Sequence, residues 1–318
     1  MFGKKSRQHA SSAAGKGERP SPYAQGPIDH ASLLRRYLGI LKSSLLNEIY
    51  IELEARLLYI FYQTANGAPV SHDVVRDIRG QKPDLVRYIA RAREEGNIAY
   101  QFTHTIDGLP KEYNFRDVCE FSHTMIGRLR LDSLEECLDA VRVDRVPGDL
   151  IETGVWRGGA CIFMRGYLEA YAMRGRRVWV ADSFQGLPKP THPADEGYDF
   201  SRDNAPYFAI SLDEVKENFR RYDLLDDHVL FLEGWFKDTL PGAPVQELAL
   251  IRLDGDLYES TMDALTNLYH RLSPGGFVIV DDYIVEPCAK AIHDFRASRR
   301  INDALVPIDS QSVYWRKG

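Results

Sequence analysis

A doubly wound, mostly parallel α/β sheet is the fold that this 318-residue sequence predicts. Five short apolar runs rich in Val, Ile and Leu, at 149–153, 177–182, 228–233, 248–254 and 276–282, read as strands buried on both faces. Helical candidates at 160–175, 211–222 and 260–272 lie between them, so the repeating unit is a βα crossover with helices on both sides of the sheet. The runs end mostly in acidic residues, at the carboxyl edge where open parallel sheets bind ligands.

Taken in order, residues 1–30 are rich in Gly, Ser, Ala, Pro and charge, and too poor in large apolar side chains to offset the entropy of ordering, which predicts a disordered tail. They lack the apolar segment of a secretory signal and the Arg-rich pattern of a transit peptide. Leu34, Leu38, Leu41, Leu45 and Ile49 recur at three- and four-residue steps, which predicts one amphipathic helix through 33–61. Its stripe needs an apolar partner, within the chain or in a second copy, and a homo-oligomer is expected. From Gln63 to Phe115 glycines and prolines punctuate short helical pieces. Residues 31–115 are therefore expected to form a helical accessory region and 116–318 the α/β domain. Leu131, Leu134, Cys137, Leu138 and Val141 align on a further helix, which Pro147-Gly148 ends. Residues 304–308 and 312–316, joined by Asp309-Ser310-Gln311, are expected to pair as an antiparallel hairpin on the sheet edge, bringing the strands to seven.

Hydrophobic residues at 44% and charged residues at 27% are those of a water-soluble globular protein. No apolar run approaches the roughly 18 residues of a membrane helix. A net charge of -6 argues against a nucleic-acid partner, whose phosphates call for a basic excess. Cys119, Cys137, Cys161 and Cys288 show neither Cys-x-x-Cys spacing nor a nearby His pair, so neither a zinc site nor a disulfide scaffold is suggested and a cytoplasmic protein is expected.

The first run of the sheet ends in Glu152-Thr153-Gly154-Val155-Trp156-Arg157-Gly158-Gly159, a glycine-rich turn that lets a ligand approach the backbone closely. Its Gly-x-x-x-Gly-Gly spacing differs from the dinucleotide fingerprint, which disfavours a nicotinamide oxidoreductase. The second run ends in Asp182, where an acidic residue accepts hydrogen bonds from ribose hydroxyls. The alternative is a plain strand-to-helix turn and a capping aspartate. Both features at the ends of successive strands favour a nucleoside cofactor without a diphosphate, S-adenosylmethionine.

Asp254, Asp256, Asp281 and Asp282 close the fourth and fifth runs on one rim, where they repel unless a cation relieves them. A hard divalent ion such as Mg²⁺ suits that donor set, with Asp254, Asp281 and Asp282 as ligands. The alternative is that some of them cap helices or pair with Arg252 or Lys290. Residues 185–204, long and polar, read as a lid over the site, or else as a plain surface loop. His123 and His104 are alternative bases, whereas His293, Cys161, Trp179 and Trp315 read as packing residues.

The segments DLIETGVWRGGA, VWVADSFQGLP, FLEGWFKDTLP, LRLDGDLYEST and LSPGGFVIVDDY resemble the TylF (macrocin) family of sugar O-methyltransferases from antibiotic biosynthesis. The resemblance runs from about Phe121 onward and includes Arg36 to Tyr50, whereas the stretch from Glu52 to Phe115 is longer than the family pattern. It implies a class I (Rossmann-like) methyltransferase fold, S-adenosylmethionine as donor, Mg²⁺ on Asp254, Asp281 and Asp282, and Asp256 as general base. It further implies cofactor contacts from Glu152, Gly154, Asp182, Ser183, Gly234 and Trp235, with Thr124 and Met125 closing over the cofactor. The expected reaction methylates a sugar hydroxyl of a glycosylated small molecule, chelated as a diol. A catechol-type methyltransferase and a non-catalytic cofactor-binding scaffold are the alternatives.

Overall fold

The computed structural model describes residues 29–96, 101–106, 109–114 and 121–318; the expected tail at 1–30 lies almost wholly outside them. The chain begins with α1 (His30–Leu45) and α2 (Ile51–Ala65), followed by α3 (His72–Arg76), α4 (Ile78–Gln81) and α5 (Pro83–Glu95). An antiparallel hairpin, β1 (Gln101–Ile106) and β2 (Leu109–Asn114), comes next. Then follow α6 (Gly127–Val143), β3 (Asp149–Thr153), α7 (Gly159–Ala170), β4 (Val178–Asp182), α8 (Leu212–Arg221), β5 (Val229–Glu233), α9 (Phe236–Thr239) and β6 (Leu248–Leu253). The remaining elements are α10 (Tyr258–Leu268), β7 (Leu272–Val280), α11 (Glu286–Arg299), β8 (Val306–Pro307) and β9 (Val313–Arg316).

The seven-stranded sheet runs in the order β5-β4-β3-β6-β7-β9-β8. The first five of these strands are parallel, and the β8–β9 hairpin adds antiparallel to the β7 edge. Each central strand is apolar on both faces because alternate side chains enter opposite cores. Leu150, Val178, Val180, Leu250 and Ile279 face α1, α6 and α7. Ile151, Trp179, Ala181, Ile251 and Val280 face α10 and α11. The chain leaves β3 for β4 and β5 on one side and returns to β6 on the other, so the order reverses between β3 and β6.

Two expectations are corrected. The single helix through 33–61 is two helices, broken where Asn47 takes a left-handed φ of 54°, a conformation that Asn tolerates better than most residues. Ile49 therefore leaves the stripe and is 48% exposed, while Leu38, Leu41 and Leu45 are buried against α7. Gly166 makes that packing close, since a methyl group there would lie 2.4 Å from Leu41 Cδ2. The stripe thus finds its partner within the chain. The accessory region is also not helical throughout, because β1 and β2 occupy its end. Its helices hold a small core of their own, including Ile51, Leu58, Ile78 and Ile89. Among the described residues no helix is long and apolar enough to cross a membrane.

Candidate active site

The cleft lies at the sheet's switch point, over the carboxyl ends of β3, β4 and β6, where ligands enter open α/β sheets. It opens to solvent between Gly154, Asp182, Trp235 and Asp254. Gly154 and Gly158, both at φ 85°, and Trp156 at φ 47° bend the β3–α7 turn around it. Gly154 is required by more than its dihedral: a methyl group there would sit 1.7 Å from the carbonyl oxygen of Asp254. The turns after β3 and β6 are therefore in direct backbone contact.

Asp182 ties the turns after β3 and β4 together. Its Oδ2 accepts from the Val155 amide at 2.7 Å and its Oδ1 from the Phe184 amide at 2.7 Å. Burial raises its carboxyl, against the pull of those amides. The Asp182 carbonyl accepts from the Gly234 amide at 2.9 Å, which brings Trp235 to the cleft wall. Gly154, Asp182, Ser183, Trp235 and Met125 line the cleft. Thr124, Gly234 and Glu152 are not among its lining residues. Thr124 is buried against Gly159 and accepts from the Ile126 amide. Glu152 is buried beneath the site, accepting from Cys161 Sγ at 2.8 Å and from Arg252.

The acidic residues do converge. Asp254, Asp281 and Asp282 each offer a carboxylate oxygen within 4.8 Å of the others. Asp254 and Asp256 line the cleft, whereas Asp281 and Asp282 are buried and are not among its lining residues; Asp256 takes a left-handed conformation, φ 55°, its amide donating to Asp282 Oδ2 at 3.2 Å. Burial first, then the charges of Asp254 and Asp281, push the Asp256 carboxyl up to about 8. Burial and the surrounding acids raise Asp282 in the same direction. A hard divalent cation fits this oxygen-only set and would relieve the repulsion.

Two buried arginines brace the rim. Arg252 donates to Glu152, Asp254 and Asp281, and Arg130 to Asp281 at 2.6 Å and Asp309 at 2.7 Å. Ser312 Oγ adds a bond to the Asp281 carbonyl at 2.6 Å. The alternative of arginine pairing therefore holds together with the cluster, while Lys290 turns to Asp294. Sequence reasoning missed Arg130, which gave no local signal; Arg252 entered it only as a possible partner of the rim aspartates.

The 185–204 segment borders the cleft through Gly186, Leu187, Pro188, Lys189 and Thr191. His123 turns away from the lining: its Nδ1 meets Tyr222 Oη at 2.9 Å, and burial, then Arg157 and Arg221, push its imidazole down to about 4. His104 lies on β1, where only the backbone is described. His293 Nε2 meets Tyr283 Oη at 2.9 Å, and Cys161, Trp179 and Trp315 are buried.

Comparison with known proteins gives a consistent picture. The family model described as Macrocin-O-methyltransferase (TylF) matches residues 34–317. The chain is 51% identical over 237 residues to mycinamicin III 3''-O-methyltransferase of Micromonospora griseorubida, covering 71% of this chain and 93% of that one. It is 55% identical over 204 residues to 8-demethyl-8-(2,3-dimethoxy-alpha-L-rhamnosyl)-tetracenomycin-C 4'-O-methyltransferase of Streptomyces olivaceus, covering 63% and 78%. The solved structure of the O-methyltransferase NovP superposes with a TM-score of 0.69 at 41% identity, covering 89% of this chain and 99% of that one.

Proposed function

Because the chain belongs to the macrocin O-methyltransferase (TylF) family and is an O-methyltransferase, we propose that it moves a methyl group from S-adenosylmethionine to a sugar hydroxyl of a glycosylated natural product, aided by Mg²⁺. The observation that carries this reading is the switch-point cleft itself, which puts the Gly154–Asp182 wall and the Asp254–Asp256 wall around one space. The two relatives support the acceptor class: the name of one specifies a 3''-oxygen, and that of the other a 4'-oxygen on a molecule bearing a rhamnosyl group.

S-adenosylmethionine supplies an electrophilic methyl group, and its cofactor wall would be Gly154, Asp182, Ser183, Trp235 and Met125. Asp182 would accept from ribose hydroxyls. Thr124, Gly234 and Glu152 would support that wall from behind. Asp254, Asp281 and Asp282 would hold Mg²⁺, whose charge lowers the pKa of a nearby hydroxyl. Asp256 would take the sugar proton as general base. Arg252 and Arg130 keep the ligand carboxylates oriented, and the apolar parts of the cleft exclude water while both reactants are aligned.

Calorimetric titration with S-adenosylmethionine, followed by methyl-transfer assays on glycoside diols and on catechol, tests the proposal. Transfer to the glycoside that stops in EDTA and returns with Mg²⁺ is expected. Replacement of Asp254 or Asp282 by Ala should abolish turnover while cofactor binding stays within a few fold. Undiminished transfer in EDTA would overturn the metal assignment, and a preference for catechol would overturn the acceptor class.

A further inference from the structure

Helix α10 begins directly after the Asp254-Gly255-Asp256 turn, and its N-cap residue is Leu257, which has no side-chain acceptor to offer. The orphan amides of a first helical turn need partners. They find one outside the local sequence: Asp195, fully buried in the 185–204 loop, accepts from the Tyr258 amide at 2.6 Å and the Glu259 amide at 3.2 Å. Two neighbours in the same loop reinforce the contact. Thr191 Oγ1 donates to Glu259 at 2.6 Å, and the His192 ring stacks on Tyr258 at 4.3 Å. The amide of Asp256, just upstream, is held by Asp282. The turn that carries Asp256 in its left-handed conformation is thus clamped at one end by the acidic rim and at the other by the loop over the cleft.

We propose that Asp195 is a positioning residue which makes docking of the 185–204 loop and placement of Asp256 a single event. Loop departure removes both capping bonds of Asp195 from α10 and frees the turn, so the base is set only when the cleft is covered. This rests on the reading of Asp256 as the base, but its physical core, the coupling of two segments, does not depend on any substrate.

Native-state hydrogen exchange on the full-length protein tests it, with S-adenosylmethionine affinity measured in parallel by calorimetry. In Asp195→Ala, exchange across 187–201 and across 256–259 should accelerate together by about tenfold, the usual consequence of losing a helix cap. Asp195→Asn keeps one acceptor oxygen and should restore most of the protection in both segments. Ser211→Ala removes the cap of α8 and should leave both segments unchanged. Acceleration confined to the loop, or equal acceleration in Ser211→Ala, would overturn the proposal. If Asp195→Ala does not fold, the two segments must still shift by the same factor in Asp195→Asn, and unequal factors would count against it. A wild-type protein that methylates no glycoside would sink the proposed acceptor while leaving this coupling measurable.

Discussion

Arg252 is the fifth residue of a strand whose six residues are all buried, and it is 1% exposed. A guanidinium can be kept there because three carboxylates, Glu152, Asp254 and Asp281, accept from it. Removing one side of such a network leaves uncompensated buried charge, so Arg252→Met should destabilise the protein by about 3–5 kcal/mol in urea denaturation. Arg252→Lys should recover only part of this, since a point charge cannot fork between three acceptors. His123 gives a pH test. Its folded-state imidazole is pushed down from 6.5 to about 4, so the unfolded chain binds the extra proton between those values. Stability is fully present above about pH 6.5 and is lost as pH falls toward 4. Melting curves of His123→Gln should decline less across that window than wild type. The chemistry of these residues was partly legible beforehand: Arg252 entered as a possible partner of the rim aspartates, and acidic strand ends point to a rim. Their partners were not, because Arg130 and Asp281 are 151 positions apart and only the folded sheet joins them.

At the scale of elements, the βα repeat was readable because buried parallel strands need apolar residues on both faces, and the five runs show it. The Asn47 break was not, since the apolar spacing continues across it and neither Gly nor Pro marks the spot. The β1–β2 hairpin did leave a signal in Asp107-Gly108, a two-residue turn sequence between its strands, which the mixed surroundings obscured. The glycine turn after β3 was recognised for its conformational freedom, yet its stricter demand is nonlocal. Gly154→Ala would drive a methyl group into the Asp254 carbonyl, so the β3 and β6 turns must part. Loss of measurable S-adenosylmethionine binding and a large fall in melting temperature are expected, checked by calorimetry and circular dichroism.

Across the whole molecule, the accessory helices reach the cleft through Glu54. It is fully buried and accepts from Asn47 at 2.7 Å, Arg93 at 2.5 Å and the Phe121 amide at 3.0 Å. Phe121 opens the segment that carries Met125 to the cleft, and Gly96 packs against Ile126 and Gly127 beside it. Glu54→Ala should therefore weaken S-adenosylmethionine binding severalfold without touching the cleft, and Glu54→Gln, which keeps one acceptor oxygen but removes the charge facing the buried Arg93 guanidinium, should recover only part of it; calorimetry measures both. The bracing of the acidic rim has a consequence for biosynthesis. Asp309 lies 179 residues beyond Arg130, its partner, and Ser312 lies 31 beyond Asp281. Val313 then pairs with Val280 at the end of β7. A nascent chain that has reached residue 308 already contains every acidic residue of the rim and both arginines, but neither Asp309, which holds Arg130, nor Ser312, which holds the Asp281 carbonyl. A ribosome-released fragment ending there would carry the acidic residues and their arginines without these two outer braces.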